Sequence, residues 1–205
     1  MSDTSEQNRI VSFRRMEDGT REDYLLLEQL ELEYARQLPG KILAAVEKLD
    51  RSFDGYPVTR LQHSLQTATR AMRDGADEEL IAAALIHDVG DELAPYTHQE
   101  IAAAILRPYV RAEVTWIIAH HALFQNYYYA HHLGGDRNAR DRYQDHRWYG
   151  ACQDFCANWD QNSFDPDYPT EPMSTFAPII ERIFSRPPHD PRYMGTAQDS
   201  DLSAR

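Results

Sequence analysis

Apolar residues recur every three to four positions through most of the chain, and stretches rich in glycine, proline or charge separate the segments with this pattern. The spacing is typical of helices with one buried face, whereas a half-buried strand would alternate at every second position, which no segment does. The pattern therefore predicts an all-α fold. The predicted helices begin near Thr20, Lys41, Thr59, Asp77, Thr97, Ala112, Asp145 and Phe176.

Residues suited to helix ends mark several of these boundaries. The side-chain oxygens that are predicted to cap helix N-termini belong to Thr20, Thr59, Asp77 and Thr97. Gly75 is predicted to follow the end of the third helix, and Pro39-Gly40 to end the first. The segment 126–147 is rich in aromatic residues, histidines and charge, and we predict a loop with short helical turns there.

Length and composition restrict the kind of protein. The 205 residues fit one domain, which we predict at 20–186, between a flexible N-terminal segment at 1–19 and a polar C-terminal tail at 187–205. The formal net charge of −12 argues against a nucleic-acid partner, which requires clustered positive charge. Without a membrane-length apolar run or a signal-peptide pattern, we expect a cytoplasmic protein that does not bind membranes. Cys152 and Cys156 are expected to be reduced and packed.

The apolar run of the fourth helix ends in His87-Asp88, and Gly90 follows closely. Burying an imidazole and a carboxylate side by side is unfavourable unless something compensates, and a metal ion can bind both. A histidine paired with its neighbouring carboxylate is the simpler alternative.

Helical periodicity helps to choose among the nine histidines. It places His121 on the apolar face of its helix and His120 about 100° away. His63 falls outside the apolar stripe that includes Leu61 and Leu65. The potential metal ligands that face inward by this criterion are His87, His98, His121 and Asp160. Mixed imidazole and carboxylate ligands suit iron, manganese, zinc or nickel, and ligation by cysteine remains an alternative.

The order of these residues resembles the HD-domain superfamily of helical metalloenzymes. The match is specific at 61–66, 74–79 and 83–90, and it covers about residues 56–164. It is most similar to the branch that includes the 2-amino-1-hydroxyethylphosphonate dioxygenases, with the inositol oxygenases more distant. The residues that match the metal ligands of this family are His63, His87, Asp88, His98, His121 and Asp160, with Asp165 as the alternative for the last.

The resemblance implies an HD-domain helical bundle around a dinuclear metal site. It implies that one metal is held by His63, His87, Asp88 and Asp160. The second would be held by His98 and His121, and Asp88 would bridge the two metals. In the oxygenase branch the cofactors are two iron ions in a mixed-valent state. The substrates are O2 and a small polar hydroxylated molecule, of which a C–C or C–P bond is cleaved. Manganese, nickel, cobalt or zinc are the alternative metals.

Three expected substrate-contacting positions depart from the phosphonate-cleaving members. Gln125 stands where they carry a lysine, Asp91 where they carry a histidine, and Tyr56 aligns with a glutamate. The resemblance therefore implies a retained metal site with a different substrate pocket. Positive charge for an anionic substrate could come from Arg60, Arg70 or Arg107.

Two alternative functions follow from the same residues. One is a phosphohydrolase that uses the metals to activate water against a phosphoester or nucleotide. The other is a non-catalytic binding module with a structural metal. The tract 124–132 is interpreted either as an aromatic lid over the metals or as a packed loop. The sequence does not predict the oligomeric state.

Overall fold

The computed structural model describes residues 10–52 and 54–194, so predictions for the remaining residues lie outside the described chain. Within these ranges the fold is all-α, as predicted, and contains no strand. The α-helices are α1 Arg21–Ala35, α2 Leu38–Lys48, α3 Arg60–Arg73, α4 Glu78–Ile86, α5 His98–Leu106, α6 Ala112–Tyr129, α7 Tyr149–Asp154, α8 Met173–Phe184 and α9 Pro191–Met194. Short 3-10 turns and one π-helix, Phe155–Trp159, connect or extend them.

Most of the predicted helix ends are confirmed. Side-chain oxygens of Thr20, Thr59 and Asp77 accept backbone N–H groups three residues later. Gly75, one residue beyond the α3 cap, has a φ of +77°, a left-handed conformation that favours glycine. Thr97 precedes α5, but its side chain makes no capping hydrogen bond.

Several boundaries differ from the sequence prediction, among them the start of α8 at Met173 rather than near Phe176. Pro39-Gly40 does not end α1 but lies in the first turn of α2, where proline loses no helical hydrogen bond. Helix α6 continues to Tyr129, so the start of the predicted loop is helical. The helix predicted at 145–160 begins only at Tyr149 and changes to a π-helix at Phe155.

Helix α4 lies at the centre of the domain. Residues 81–90 are all buried, because α3, α6 and α8 pack around this apolar segment. A helix that is apolar on every side is suited to such a position. Burial of this segment carries the His87-Asp88 pair into the interior.

Helix α3 is also buried on most of its surface, which corrects one sequence expectation. Residues 63–69 are buried, whereas Leu61 is only partly buried. His63 is therefore an interior residue, although the apolar periodicity of α3 places it outside the buried stripe. The apolar residues alone did not predict the buried face of α3, because that face also includes polar side chains.

Gly90 sets the distance between the end of α4 and α5. A Cβ atom at this position would lie 2.6 Å from the carbonyl oxygen of His98 and 2.8 Å from Cβ of Ile101. Only glycine allows the two backbones to approach this closely. The contact holds the start of α5, and therefore His98, against the end of α4.

Two further sequence expectations concern membrane-spanning helices and the cysteines. Within the described chain, no helix is both long and apolar enough to cross a membrane. Cys152 and Cys156 are buried and not disulfide-bonded, as expected.

We expect Gly90→Ala to destabilise the domain by about 1–3 kcal/mol, because the added methyl group would push α5 away from α4. Denaturant-induced unfolding followed by circular dichroism measures this change. Gly40→Ala is the matched control, since a Cβ at that exposed helical position meets no atom within 4 Å. That variant should be neutral or slightly stabilised. Equal stability of the two variants would contradict the proposed close approach.

Candidate metal centre

The structure brings together all the side chains that the sequence predicts as metal ligands. They come from several elements that pack together. His63 lies on α3, His87 and Asp88 follow α4, His98 begins α5, His121 lies on α6, and Asp160 follows the π-helix. All are buried except His98, whose side chain is 16% exposed.

One group of ligand atoms consists of His63, His87 and Asp160. The Nε2 atoms of the two histidines are 3.0 Å apart. Oδ1 of Asp160 lies 3.2 Å from Nε2 of His63 and 3.7 Å from Nε2 of His87. One donor atom from each residue lies within 4.8 Å of the others, which is compatible with a single ion bound among them.

A second group lies on the other side of Asp88. The Nε2 atoms of His98 and His121 are 3.3 Å apart. Oδ1 of Asp88 lies 3.3 Å from the first and 3.4 Å from the second. These three side chains offer two imidazole nitrogens and one carboxylate oxygen around a common point.

Asp88 faces both groups with different oxygens. Its Oδ2 atom lies 3.6 Å from Nε2 of His63 and 3.5 Å from Nε2 of His87, while Oδ1 faces His98 and His121. A carboxylate in this orientation can bind two cations, one through each oxygen.

Backbone carbonyls determine which ring nitrogens face the centre. The Nδ1 atoms of three buried histidines lie 2.7–3.0 Å from carbonyl oxygens. Because a carbonyl can only accept, Nδ1 must carry the hydrogen, and a neutral ring then presents the Nε2 lone pair inward. The pairs are His63 with Ser163, His87 with Ala84 and His121 with Ile118. His98 directs Nδ1 toward the carbonyl of Pro95 at 3.3 Å.

The electrostatics maintain the charge states that a cation site requires. Burial lowers the pKa of His87 to about 4, so this ring is neutral at neutral pH. Burial alone would raise the pKa of Asp88, but His87, His121, His63 and Arg60 hold it well below its ordinary value. The pKa of Asp160 is also lowered: burial opposes this shift, but the nearby histidines outweigh it. Both carboxylates are therefore ionised.

The donor set fits a metal centre. Inward lone pairs and carboxylates repel one another at 3.0–3.7 Å unless positive charge lies between them. Protons could supply part of this charge, because carboxylate contacts outweigh burial and raise the pKa of His63 and His121. Oδ2 of Asp160 is nevertheless buried without a hydrogen-bond partner. A metal ion would satisfy that oxygen as well as the imidazoles.

A cavity of about 270 Å³ opens onto this cluster. Its wall is largely aromatic, with a few groups that can form hydrogen bonds. Beyond the cluster itself, the lining residues are Tyr56, Arg60, Ala122, Gln125, Tyr128, Tyr129, Gln161 and Phe164. Such a mixture is typical of small-molecule sites, in which a few polar groups fix the ligand's orientation.

The predicted substrate-contacting residues have different positions. Tyr56 and Gln125 line the cavity, and Oε1 of Gln125 is buried without a hydrogen-bond partner. Asp91 instead contacts two lining residues, with Oδ2 3.2 Å from Nε of Arg60 and Oδ1 3.8 Å from Nδ1 of His98. Its predicted direct contact with substrate therefore remains a prediction.

Several lining residues were missed or only partly identified from the sequence. Tyr128 and Tyr129 belong to the last turn of α6, so their tract is neither a separate lid nor a packed loop. Extending the predicted helix through this tract would have identified both tyrosines, because they follow His121 and Gln125 on one helix face. Of the three arginines considered, Arg60 lines the cavity. Arg70 instead donates to the carbonyl of Asn162.

Comparison with known proteins agrees with this architecture. Residues 60–157 match the family model described as "HD domain". A curated relative from Leisingera caerulea, [1-hydroxy-2-(trimethylamino)ethyl]phosphonate dioxygenase (glycine-betaine-forming), is 32% identical over 89 residues. That match covers 38% of this chain and 45% of the relative, so the chain spans less than half of the relative's length. Residues 60–157 are therefore similar to HD domains, and the all-α fold of the described residues is consistent with such a domain.

Proposed function

We propose that this chain is an O2-dependent dinuclear iron oxygenase that acts on a small, polar, hydroxylated molecule. The observation that carries the dinuclear part of the proposal is the orientation of Asp88, which presents one carboxylate oxygen to each histidine pair. A single-metal site would not require both oxygens to be surrounded by inward-facing imidazoles.

The distances support the following ligand assignment. His63, His87 and Asp160 would hold one ion, His98 and His121 the other, and Asp88 would bridge them. When bound, two iron ions would supply the O2 binding and electron transfer that these side chains lack. The absence of cysteine from the cluster and its mixture of imidazoles and carboxylates suit iron, although manganese, nickel, cobalt and zinc share these preferences.

The residues around the ligands would bind and orient the substrate. Gln125 and Gln161 can form hydrogen bonds with hydroxyl groups, while the aromatic wall limits the entry of water. The rings of Tyr56 and Phe164 have centroids 4.8 Å apart on one side of the cavity. Such a wall can also pack against a methylated ammonium group. The curated relative is named as a phosphonate dioxygenase that forms glycine betaine, which supports an oxygenase here.

A phosphohydrolase would use the same metal ligands. Apart from the clustered histidines, Arg60 supplies the cationic side chain among the described lining residues, and Asp91 pairs with it. Because this charge would serve either kind of anionic substrate, the preference for the oxygenase rests on the similarity to a dioxygenase.

The proposal is tested by loading the protein anaerobically with Fe(II) and then adding O2. We expect two irons per chain by elemental analysis and a paramagnetic mixed-valent signal after partial oxidation. Screening hydroxylated phosphonates and carboxylates for substrate-dependent O2 consumption tests the activity. Release of phosphate from phosphoesters without O2 consumption would favour the hydrolase instead.

Asp160→Asn should lower the bound iron from two ions to one or fewer per chain, because an amide is a weaker ligand than a carboxylate. Asp165→Asn is the matched control and also tests the alternative ligand. The Asp165 side chain accepts the backbone N–H of Asp167, and the residue is exposed. We expect this variant to retain its iron, as measured by elemental analysis of the folded protein. Iron loss in Asp165→Asn alone would reverse the ligand assignment.

Metal binding should weaken as the pH falls through the range above the ordinary histidine pKa of about 6.5. Protons compete with metal for Nε2, and the raised pKa of His63 and His121 makes this competition begin at a higher pH than for an ordinary histidine. Metal retained after dialysis at stepped pH measures the effect. His131→Ala, at an exposed position outside the cavity, should leave the profile unchanged. Full retention at pH 5 would contradict the ligand roles.

A further inference from the structure

Arg60 is a charged residue of the cavity wall to which the proposed ligand set gives no role. It begins α3, three residues before His63, and its side chain is 19% exposed. Its guanidinium therefore lies beside the metal ligands while still reaching the cavity.

Two carboxylates hold this guanidinium at different edges. Nε lies 3.2 Å from Oδ2 of Asp91, and one terminal nitrogen lies 2.8 Å from Oδ2 of Asp88. Asp91 is itself mostly buried, with a side chain 10% exposed, and it also approaches His98. The contact with Asp91 is an ion pair rather than a hydrogen bond, because the buried Nε has no hydrogen-bond partner. The charge of Asp91 holds the guanidinium beside the cluster, while a terminal nitrogen donates to Asp88.

The contact with Asp88 involves an oxygen that has a competing role. The same Oδ2 atom lies within 3.6 Å of the Nε2 atoms of His63 and His87, so it belongs to the proposed ligand set. An oxygen that binds a metal offers less electron density to a hydrogen-bond donor. The terminal N–H groups of Arg60 would then be available to an acceptor in the cavity.

We propose that Arg60 binds the acid group of the substrate and that Asp91 is a positioning residue that orients Arg60. This inference rests on the proposed function and specifies its substrate as an oxyacid anion, either a carboxylate or a phosphonate. The planar guanidinium fork matches a pair of acid oxygens. Gln125, which lies in the same cavity, can donate a hydrogen bond but carries no charge.

The test measures ligand binding without turnover. Protein loaded with Zn(II), which is not redox-active, is titrated calorimetrically with glycolate, with hydroxymethylphosphonate and with the neutral analogue glycolamide. We expect Arg60→Gln to weaken binding of the acids by about 10- to 100-fold, the loss typical of a hydrogen bond between charged groups. Binding of glycolamide should change by less than about threefold. The relative losses for glycolate and hydroxymethylphosphonate identify which acid the site prefers.

Companion variants separate acid recognition from a structural role. Arg60→Lys keeps the charge but loses the fork, so it should restore part of the acid affinity. Asp91→Asn should weaken acid binding less than Arg60→Gln does. Arg70→Gln is the matched control, because Arg70 also lies on α3 but donates to the carbonyl of Asn162, and its affinities should equal those of the wild type. Zinc content is measured in every variant.

Three results would overturn the assignment: an unchanged acid affinity in Arg60→Gln, a lack of acid binding by the wild type, or a loss of zinc in Arg60→Gln. The last would make Arg60 a counter-ion of Asp88. The oxygenase proposal fails separately. If glycolate binding depends on Arg60 but the iron-loaded protein consumes no O2, only the oxygenase proposal is overturned. If the protein consumes O2 but Arg60→Gln leaves the acid affinity unchanged, only the role of Arg60 is overturned.

Discussion

The carboxylate of Asp88 is the interaction on which the candidate site depends. It is buried, it faces histidines through both oxygens, and it also accepts a hydrogen bond from Arg60. A buried carboxylate is unfavourable unless several partners compensate. Here the partners come from different helices, so the requirement of one group constrains the relative placement of α3, α5 and α6.

The framework around Asp88 achieves this placement with a few local features. The apolar α4 can be surrounded by other helices, and Gly90 lets α5 approach its end. The π-helix at Phe155–Trp159 directly precedes Asp160. A π-helix has a wider turn than an α-helix and is frequent at functional sites. The carbonyls that fix the histidine rings belong to neighbouring turns and to the segment after Asp160, so the fold itself selects Nε2 as the inward atom.

Candidate metal ligands and cavity-lining side chains share helices. Arg60 and His63 both lie on α3, while His121, Gln125 and Tyr128 lie on α6. Substitutions one turn from a ligand can therefore alter the cavity without changing the ligand. The neutral Gln125, one turn after His121, and Arg60, one turn before His63 and paired with Asp91, occupy positions of this kind.

The sequence by itself determined the helical class, most helix ends and the inward direction of His87, His121 and Asp160, because these depend on local periodicity and capping. Resemblance to a family, rather than periodicity, identified His63. Only the tertiary structure decided that α3 is buried on most sides, that α6 continues to Tyr129, and that Asp91 contacts Arg60. The physical reason is that periodicity fixes a side chain's direction relative to its own helix axis, whereas its contacts depend on which helix packs opposite.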